Sequence, residues 1–185
     1  MGYMASGKTT FGRALAQARG WEFLDLDEAV EREAGKSISR IMAEEGEEKF
    51  RLLESRLLKK TMSMKKTVIA CGGGTPCYRD NMEFMTLHGQ TLWLVASPER
   101  ITDRILAAGD TRPLAAGKSR EELREFVGRH LLERQRYYCK ASMRFSGERL
   151  ETDEEVKQSV GRFCGEMTPE GKKIEGFKTP FNKKY

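Results

Sequence analysis

Gly2-Tyr3-Met4-Ala5-Ser6-Gly7-Lys8-Thr9 sets two glycines, a lysine and a hydroxyl in the order G-x-x-x-x-G-K-T. That order suits phosphate. Glycines let the backbone curl until successive N–H groups point at one anion, and a helix starting there adds its positive end. Lys8 is placed to reach the outer phosphates of a nucleoside triphosphate, and the Thr9 hydroxyl to ligate Mg²⁺. A chance glycine-rich turn before a helix would not need glycine, lysine and hydroxyl in sequence.

Further groups fit the same chemistry. Asp25 and Asp27 stand two apart in Phe23-Leu24-Asp25-Leu26-Asp27, and side chains two apart on a strand end share a face. Beside a phosphate loop, one carboxylate suits Mg²⁺ and the other an acceptor hydroxyl. Gly72-Gly73-Gly74 follows an apolar run, where bare backbone can approach a ligand closely. Arg112 lies in Gly109-Asp-Thr-Arg-Pro-Leu-Ala-Ala-Gly-Lys-Ser119, a stretch that reads as a mobile loop able to bring a cation over the phosphates. Two arginines say little in isolation. Arg51 and Glu54 read as a surface helix pair worth a few tenths of a kcal/mol, and Arg134 belongs to a charge run with Arg129, His130 and Arg136.

The elements that must hold these residues alternate. Phe11, Leu15 and Ala18 share a face of a helix that ends at Gly20. Residues 21–26 read as a short strand, and Asp27 to Ala34 as a helix stopped by Gly35. Ser37 caps a short helix ended near Gly46, and Phe50, Leu53 and Leu57 mark the apolar face of a longer one. Strands at Thr67–Cys71 and Thr91–Val95 are followed by helices opening at Asn81 and Ser97-Pro98. Ser119 with Glu122, and Thr152 with Glu155, are capping-box spacings that start a long helix to about Tyr138 and a last one to about Cys164. Met143 to Phe145 reads as a final strand. Short apolar strands alternating with helices predict an α/β fold, a parallel sheet between two helical layers. Ligands of such sheets bind at the carboxyl ends of the strands, where the phosphate loop, Asp25, Asp27 and the triple glycine all fall. The loop begins at residue 2, so the strand that leads into it is expected to be missing from these 185 residues.

Composition narrows the class. The length suits one domain, here expected over residues 1–164 with a loop at about 109–119. A Gly-, Pro- and Lys-rich, aperiodic tail follows over 165–185 and is expected to be disordered. No apolar run approaches the ~20 residues of a membrane span, and nothing resembles a secretory signal, so the expected location is cytoplasmic. Four cysteines without C-x-x-C spacing and two histidines argue for reduced thiols rather than zinc. The net charge of +5 comes from interleaved signs, without a basic stripe carrying stacking aromatics, so nucleic acid is not an expected partner.

Taken together, G-Y-M-A-S-G-K-T, F-L-D-L-D, G-E-E-K-F-R-L-L-E, C-G-G-G, T-R-P-L and E-R-Q-R-Y-Y, spread over residues 2–164, resemble the shikimate kinase family. The resemblance implies a three-layer α/β/α P-loop fold of the nucleoside-monophosphate-kinase type. It also implies transfer of the ATP γ-phosphoryl group to the 3-hydroxyl of shikimate, in aromatic amino-acid biosynthesis. By resemblance, Ala5, Ser6, Gly7, Lys8, Thr9, Thr10, Arg104 and Arg112 bind ATP, and Thr9 and Asp25 hold Mg²⁺. Asp27 hydrogen-bonds the substrate hydroxyls and assists deprotonation, with Lys8 and Arg112 as its catalytic partners. Arg51 and Arg134 grip the substrate carboxylate, a task suited to the bidentate guanidinium fork, and Gly73 and Gly74 contribute backbone. ATP and shikimate are the expected partners, and a monomer the expected state.

Two residues depart from the family pattern. Ala5 stands where many members have glycine, at a cost of about 1 kcal/mol if the position needs positive φ. Cys71 replaces the usual serine or threonine before the triple glycine, which weakens an indirect contact to Mg²⁺. The alternatives are a small P-loop kinase of another metabolite, such as gluconate, and a truncated nucleotide-binding protein without activity.

Overall fold

The computed structural model describes residues 1–108 and 117–165. Arg112 and the tail beyond Gly165 therefore lie outside the described residues.

Helix α1 (Lys8–Arg19) leaves directly from the phosphate loop and ends on Gly20 in the left-handed conformation, at φ 63°. Strand β1 (Glu22–Asp25) leads into α2 (Leu26–Ala34), then α3 (Ile38–Glu45) and α4 (Glu47–Lys60). Strand β2 (Thr67–Ala70) runs into the triple glycine and α5 (Asn81–His88). Strand β3 (Leu92–Val95) is followed by α6 (Pro98–Ala107) and α7 (Arg120–Tyr138), and β4 (Met143–Ser146) by α8 (Asp153–Gly165). The Ser37 and Ser119 side chains, as predicted, and Ser97 each accept a main-chain N–H of the first turn, and Ser119 with Glu122 closes a full capping box. At Thr152 only half of the predicted box forms: its hydroxyl accepts the Glu155 N–H, while the Glu155 carboxylate accepts from the Glu151 N–H.

One expectation about Asp25 and Asp27 needs correcting. The strand ends at Asp25, and Asp27 sits in the first turn of α2. The Asp25 carboxylate accepts the Asp27 N–H at 3.0 Å and so caps that helix. The two carboxylates are neighbours through a cap, not through a shared strand face.

The layers follow from side-chain alternation along β3. Trp93 and Val95 pack with Leu26, Val30, Phe50, Met82 and Tyr138, on the side of α2, α4 and α5. Leu92 and Leu94 pack with Phe11, Leu15, Val156 and Phe163, on the side of α1 and α8. Period-two alternation into two separate apolar clusters is what a strand buried on both faces produces.

The sequence predicts one sheet, and the described residues form two. Strands β1 and β2 pair in parallel, as do β3 and β4. Between β2 and β3 runs a cleft of about 860 Å³ lined by Val68, Ile69, Leu92, Leu94, Phe11 and Leu15 among others. At its upper end the Met1 ammonium donates to the Leu92 carbonyl at 2.7 Å, and the Met1 carbonyl accepts from the Leu94 N–H at 2.9 Å. That is the bonding pattern of a parallel bridge to Trp93. Burial holds the Met1 ammonium below its ordinary pKa.

Candidate active site

The phosphate loop is shaped by backbone. Gly7 has φ 91° and immediately precedes α1, whose N-terminus carries no side-chain cap. A side chain at Gly7 would collide with Leu150. The first N–H groups of α1 are therefore available to an anion. Ala5 adopts φ 55°, the left-handed region that favours glycine, and so bears the strain its replacement of glycine implies. The Lys8 ammonium donates to the Tyr3 carbonyl at 2.7 Å, folded back over its own loop. Ser6 is fully buried, and Thr9 and Thr10 are exposed at the start of α1. Arg104 on α6 donates to the carbonyls of Ala5 (3.2 Å) and Gly147 (2.7 Å) and to Glu151, tying the loop to the segment after β4.

Beside the loop, the Thr9 hydroxyl donates to the Asp25 carboxylate at 2.9 Å. A hydroxyl and a carboxylate together, both hard oxygen donors next to a phosphate cradle, suit Mg²⁺, which takes few protein ligands and completes its shell with phosphate and water.

On the other side of the site the structure overturns the surface-pair reading of Arg51. Glu54 is fully buried. Its carboxylate accepts from Arg51 Nη1 at 2.8 Å and from the Thr75 hydroxyl at 2.5 Å. The chain of bonds continues: Asn81 Nδ2 donates to the Thr75 carbonyl at 2.9 Å, and the Ser55 hydroxyl donates to Asn81 at 2.6 Å. A charge pair this dry needs further hydrogen bonds to hold, and here each carboxylate oxygen of Glu54 has a donor. The network fixes Arg51 and the turn after the triple glycine in one arrangement.

The triple glycine is needed for space. A Cβ on Gly74 would overlap the Arg51 guanidinium, and one on Gly72 would lie 3.0 Å from carboxylate oxygens of both Asp27 and Glu54. A Cβ on Gly73 would lie 3.2 Å from both Arg134 Nη1 and the Gly2 carbonyl. The loop thus threads between the phosphate loop, the two arginines and the acidic cluster. Tyr138, at the end of α7, donates its hydroxyl to the Gly73 carbonyl at 2.6 Å. Arg51, Arg134, Gly74, Cys77 and Tyr78 line a pocket of about 340 Å³, with Glu47 and Glu48 also on its wall. The larger cleft lies between the sheets; this smaller one is where Arg51 and Arg134 meet.

Asp27 is pushed up to about 6 by burial first, then by the charges of Glu54 and Asp25, against the opposing pull of Lys8 and Arg51. Such a carboxylate is still mostly ionised at neutral pH but is a stronger base than an ordinary aspartate. Cys71 is buried, burial raises its thiol pKa, and all four cysteines are free.

The structure brings Lys8, Thr9, Asp25, Asp27, Arg51, Gly73, Gly74 and Arg134 to one region; Arg112 lies outside the described residues. The sequence reading does not mark Glu54 as a buried anchor, and Asn81 and Tyr138 enter it only as helix ends, Thr75 not at all. The available signal was the spacing of Glu54 three residues after Arg51 on a helix and of Tyr138 four after Arg134, one turn apart in each case.

The family model described as shikimate kinase matches residues 4–164. The chain is 42% identical over 156 residues to a shikimate kinase of Parabacteroides distasonis, covering 84% of this chain and 90% of the relative. The crystal structure of shikimate kinase from Bacteroides thetaiotaomicron superposes with a TM-score of 0.83 at 37% identity, over 88% of this chain and 92% of the other. That of Acinetobacter baumannii shikimate kinase in complex with shikimate gives 0.73 at 32% identity, over 87% and 86%. A phosphate loop with a base and two arginines across from it, and these relatives over most of both chains, lead to one conclusion: the chain belongs to the shikimate kinase family.

Proposed function

We propose that this chain is a shikimate kinase that moves the γ-phosphoryl group of ATP to the 3-hydroxyl of shikimate, giving ADP and shikimate 3-phosphate. The observation that carries the reading is the convergence of Arg51, Arg134 and the bare Gly74 backbone on one small pocket, with Asp27 beside it and the phosphate loop adjoining. Two guanidinium groups suit a carboxylate, and a base of raised pKa suits a hydroxyl.

The loop N–H groups and Lys8 hold the triphosphate, and Arg51 and Arg134 hold the substrate carboxylate so that a hydroxyl faces Asp27. As the hydroxyl oxygen bonds to the γ-phosphorus, its proton passes to the Asp27 carboxylate. The bond from phosphorus to the β,γ-bridging oxygen breaks, and its electrons leave on ADP. Charge spreads over the transferring group, so positioning and cations do most of the work. Thr9 and Asp25 would hold Mg²⁺, which offsets phosphate charge when bound. Arg104, tied to the Ala5 carbonyl, is proposed to border the nucleotide base, and Arg112 to add a further cation over the phosphates.

We take residues 1–164 as the catalytic domain and a monomer as the working state. Among the described residues no helix is long and apolar enough to cross a membrane, and we place the enzyme in the cytoplasm. A coupled assay of ADP release tests the reading: release is expected to depend on shikimate, and release with gluconate but not shikimate would sink it.

A further inference from the structure

Tyr3 occupies a variable position of the phosphate loop, yet it is 1% exposed. Its ring packs with Ile101 and Ile105 of α6 and Leu123 and Val127 of α7. The Arg134 guanidinium sits 5.3 Å from the ring centroid, within cation–π range. The Tyr3 hydroxyl lies 3.3 Å from His130 Nδ1. His130 packs against Phe126 with ring planes tilted by 47° and centroids 4.2 Å apart, and its pKa is lowered by burial and next by the charge of Arg134. A neutral imidazole with Nδ1 unprotonated can accept a hydrogen bond from the tyrosine hydroxyl. Meanwhile the Tyr3 carbonyl accepts from the Lys8 ammonium at 2.7 Å. One residue therefore touches the phosphate-side lysine through its backbone and the carboxylate-side arginine through its ring.

We propose that Tyr3 is a positioning residue for the acceptor substrate: its ring sets the place of Arg134 and so couples the phosphate loop to recognition of the substrate carboxylate. The inference rests on the reading above that Arg134 binds that carboxylate. The geometry favours this over packing alone. Arg134 is only partly buried, and the Tyr3 ring, 5.3 Å from its guanidinium, closes one side of the space open to that long cationic side chain. The other contact on the same helix, between Tyr3 and His130, fixes the ring so that it presents that face.

The test separates ring from hydroxyl and coupling from bulk. Tyr3→Leu removes the ring and leaves the backbone contact to Lys8; Tyr3→Met is a second ringless variant with a more adaptable fill of the same space. In either, the KM for shikimate is expected to rise roughly three- to thirtyfold, the span a cation–π contact covers, with the KM for ATP within about twofold of the parent. Tyr3→Phe keeps the ring and is expected to bring the shikimate KM back to within about threefold. In an Arg134→Met background, Tyr3→Leu is expected to add no further rise, because the partner it positions is gone. Equal rises for both substrates, or a Tyr3→Leu effect that multiplies fully with Arg134→Met, would overturn the proposal and leave Tyr3 a core residue. An Arg134→Met enzyme with an unchanged shikimate KM would overturn the carboxylate role of Arg134, and the coupling with it.

Discussion

The two sides of this site are built by different means. On the donor side the shape is main chain: Gly7 at φ 91°, the uncapped start of α1 and the folded-back Lys8, all within one contiguous segment. On the acceptor side the shape is side chain. Arg51 from α4, Glu54 one turn on, Thr75 after the triple glycine and Arg134 from α7 meet through a buried chain of bonds. A backbone cradle recognises any phosphate and asks little of its neighbours. A side-chain cradle recognises one substrate, and each member depends on the rest. Changes on the acceptor side should therefore alter specificity and stability together, and changes to the backbone cradle mainly the loop itself, with Tyr3, whose ring reaches Arg134, belonging to both sides.

The largest effect is expected where the two sides meet. Asp27→Asn leaves the shape and removes the base, so kcat should fall about 10²- to 10⁴-fold, with ATP affinity nearly unchanged by calorimetry. Equal losses of turnover and ATP affinity would mean that Asp27 belongs to the donor side.

Next in size, Arg51→Lys should raise the shikimate KM roughly 10- to 100-fold, since an ammonium lacks the bidentate fork, with the ATP KM unmoved. Arg51→Met should do the same and also strip Glu54 of its cation. A buried carboxylate left without its partner costs about 3–5 kcal/mol, which denaturant unfolding would register. A normal unfolding midpoint for Arg51→Met would contradict the dry pair.

A smaller effect joins the network to the base. Activity should rise with pH as Asp27 loses its proton, with an acid limb of kcat/KM near the value of about 6 to which it is raised. Glu54 is the largest charge raising it. Glu54→Gln removes that negative charge, makes ionisation of Asp27 easier and should move the limb to lower pH. A limb that stays, or moves up, would break the link between the acidic cluster and the base.

The smallest effect lies wholly on the donor side. Ala5 at φ 55° should be relieved by Ala5→Gly, worth about 1 kcal/mol, or a Tm rise of about 2–4 °C for a chain of this size. Kinetic constants for shikimate should not follow.

The same contrast explains what was legible in the sequence. The phosphate loop, the caps at Ser37, Ser97 and Ser119 and the glycine stop at Gly20 are local, and local chemistry is written in adjacent letters. The acceptor side was readable only through its resemblance to a family, because Arg51, Thr75 and Arg134 are brought together by folding. Taken by itself, the pair Arg51 and Glu54 has the spacing of any surface ion pair; only packing against Thr75 and Asn81 makes it a buried one. Asp27 is rightly read at the start of a helix, but the strand face it is given in common with Asp25 is wrong for a related reason. The strand ends at Asp25, whose side chain turns back to cap α2, a choice between two local options that tertiary packing settles. The split of the sheet into two parallel pairs likewise depends on which backbone groups lie opposite one another, and no single segment encodes that.

The most direct test of the central claim, that the two sides form one site serving one hydroxyl, is to identify the product. With ATP, Mg²⁺ and shikimate, phosphorus-coupled NMR should show one phosphate on the 3-hydroxyl for each ADP formed. ADP formed without phosphorylated shikimate, or phosphate on another hydroxyl, would contradict the account.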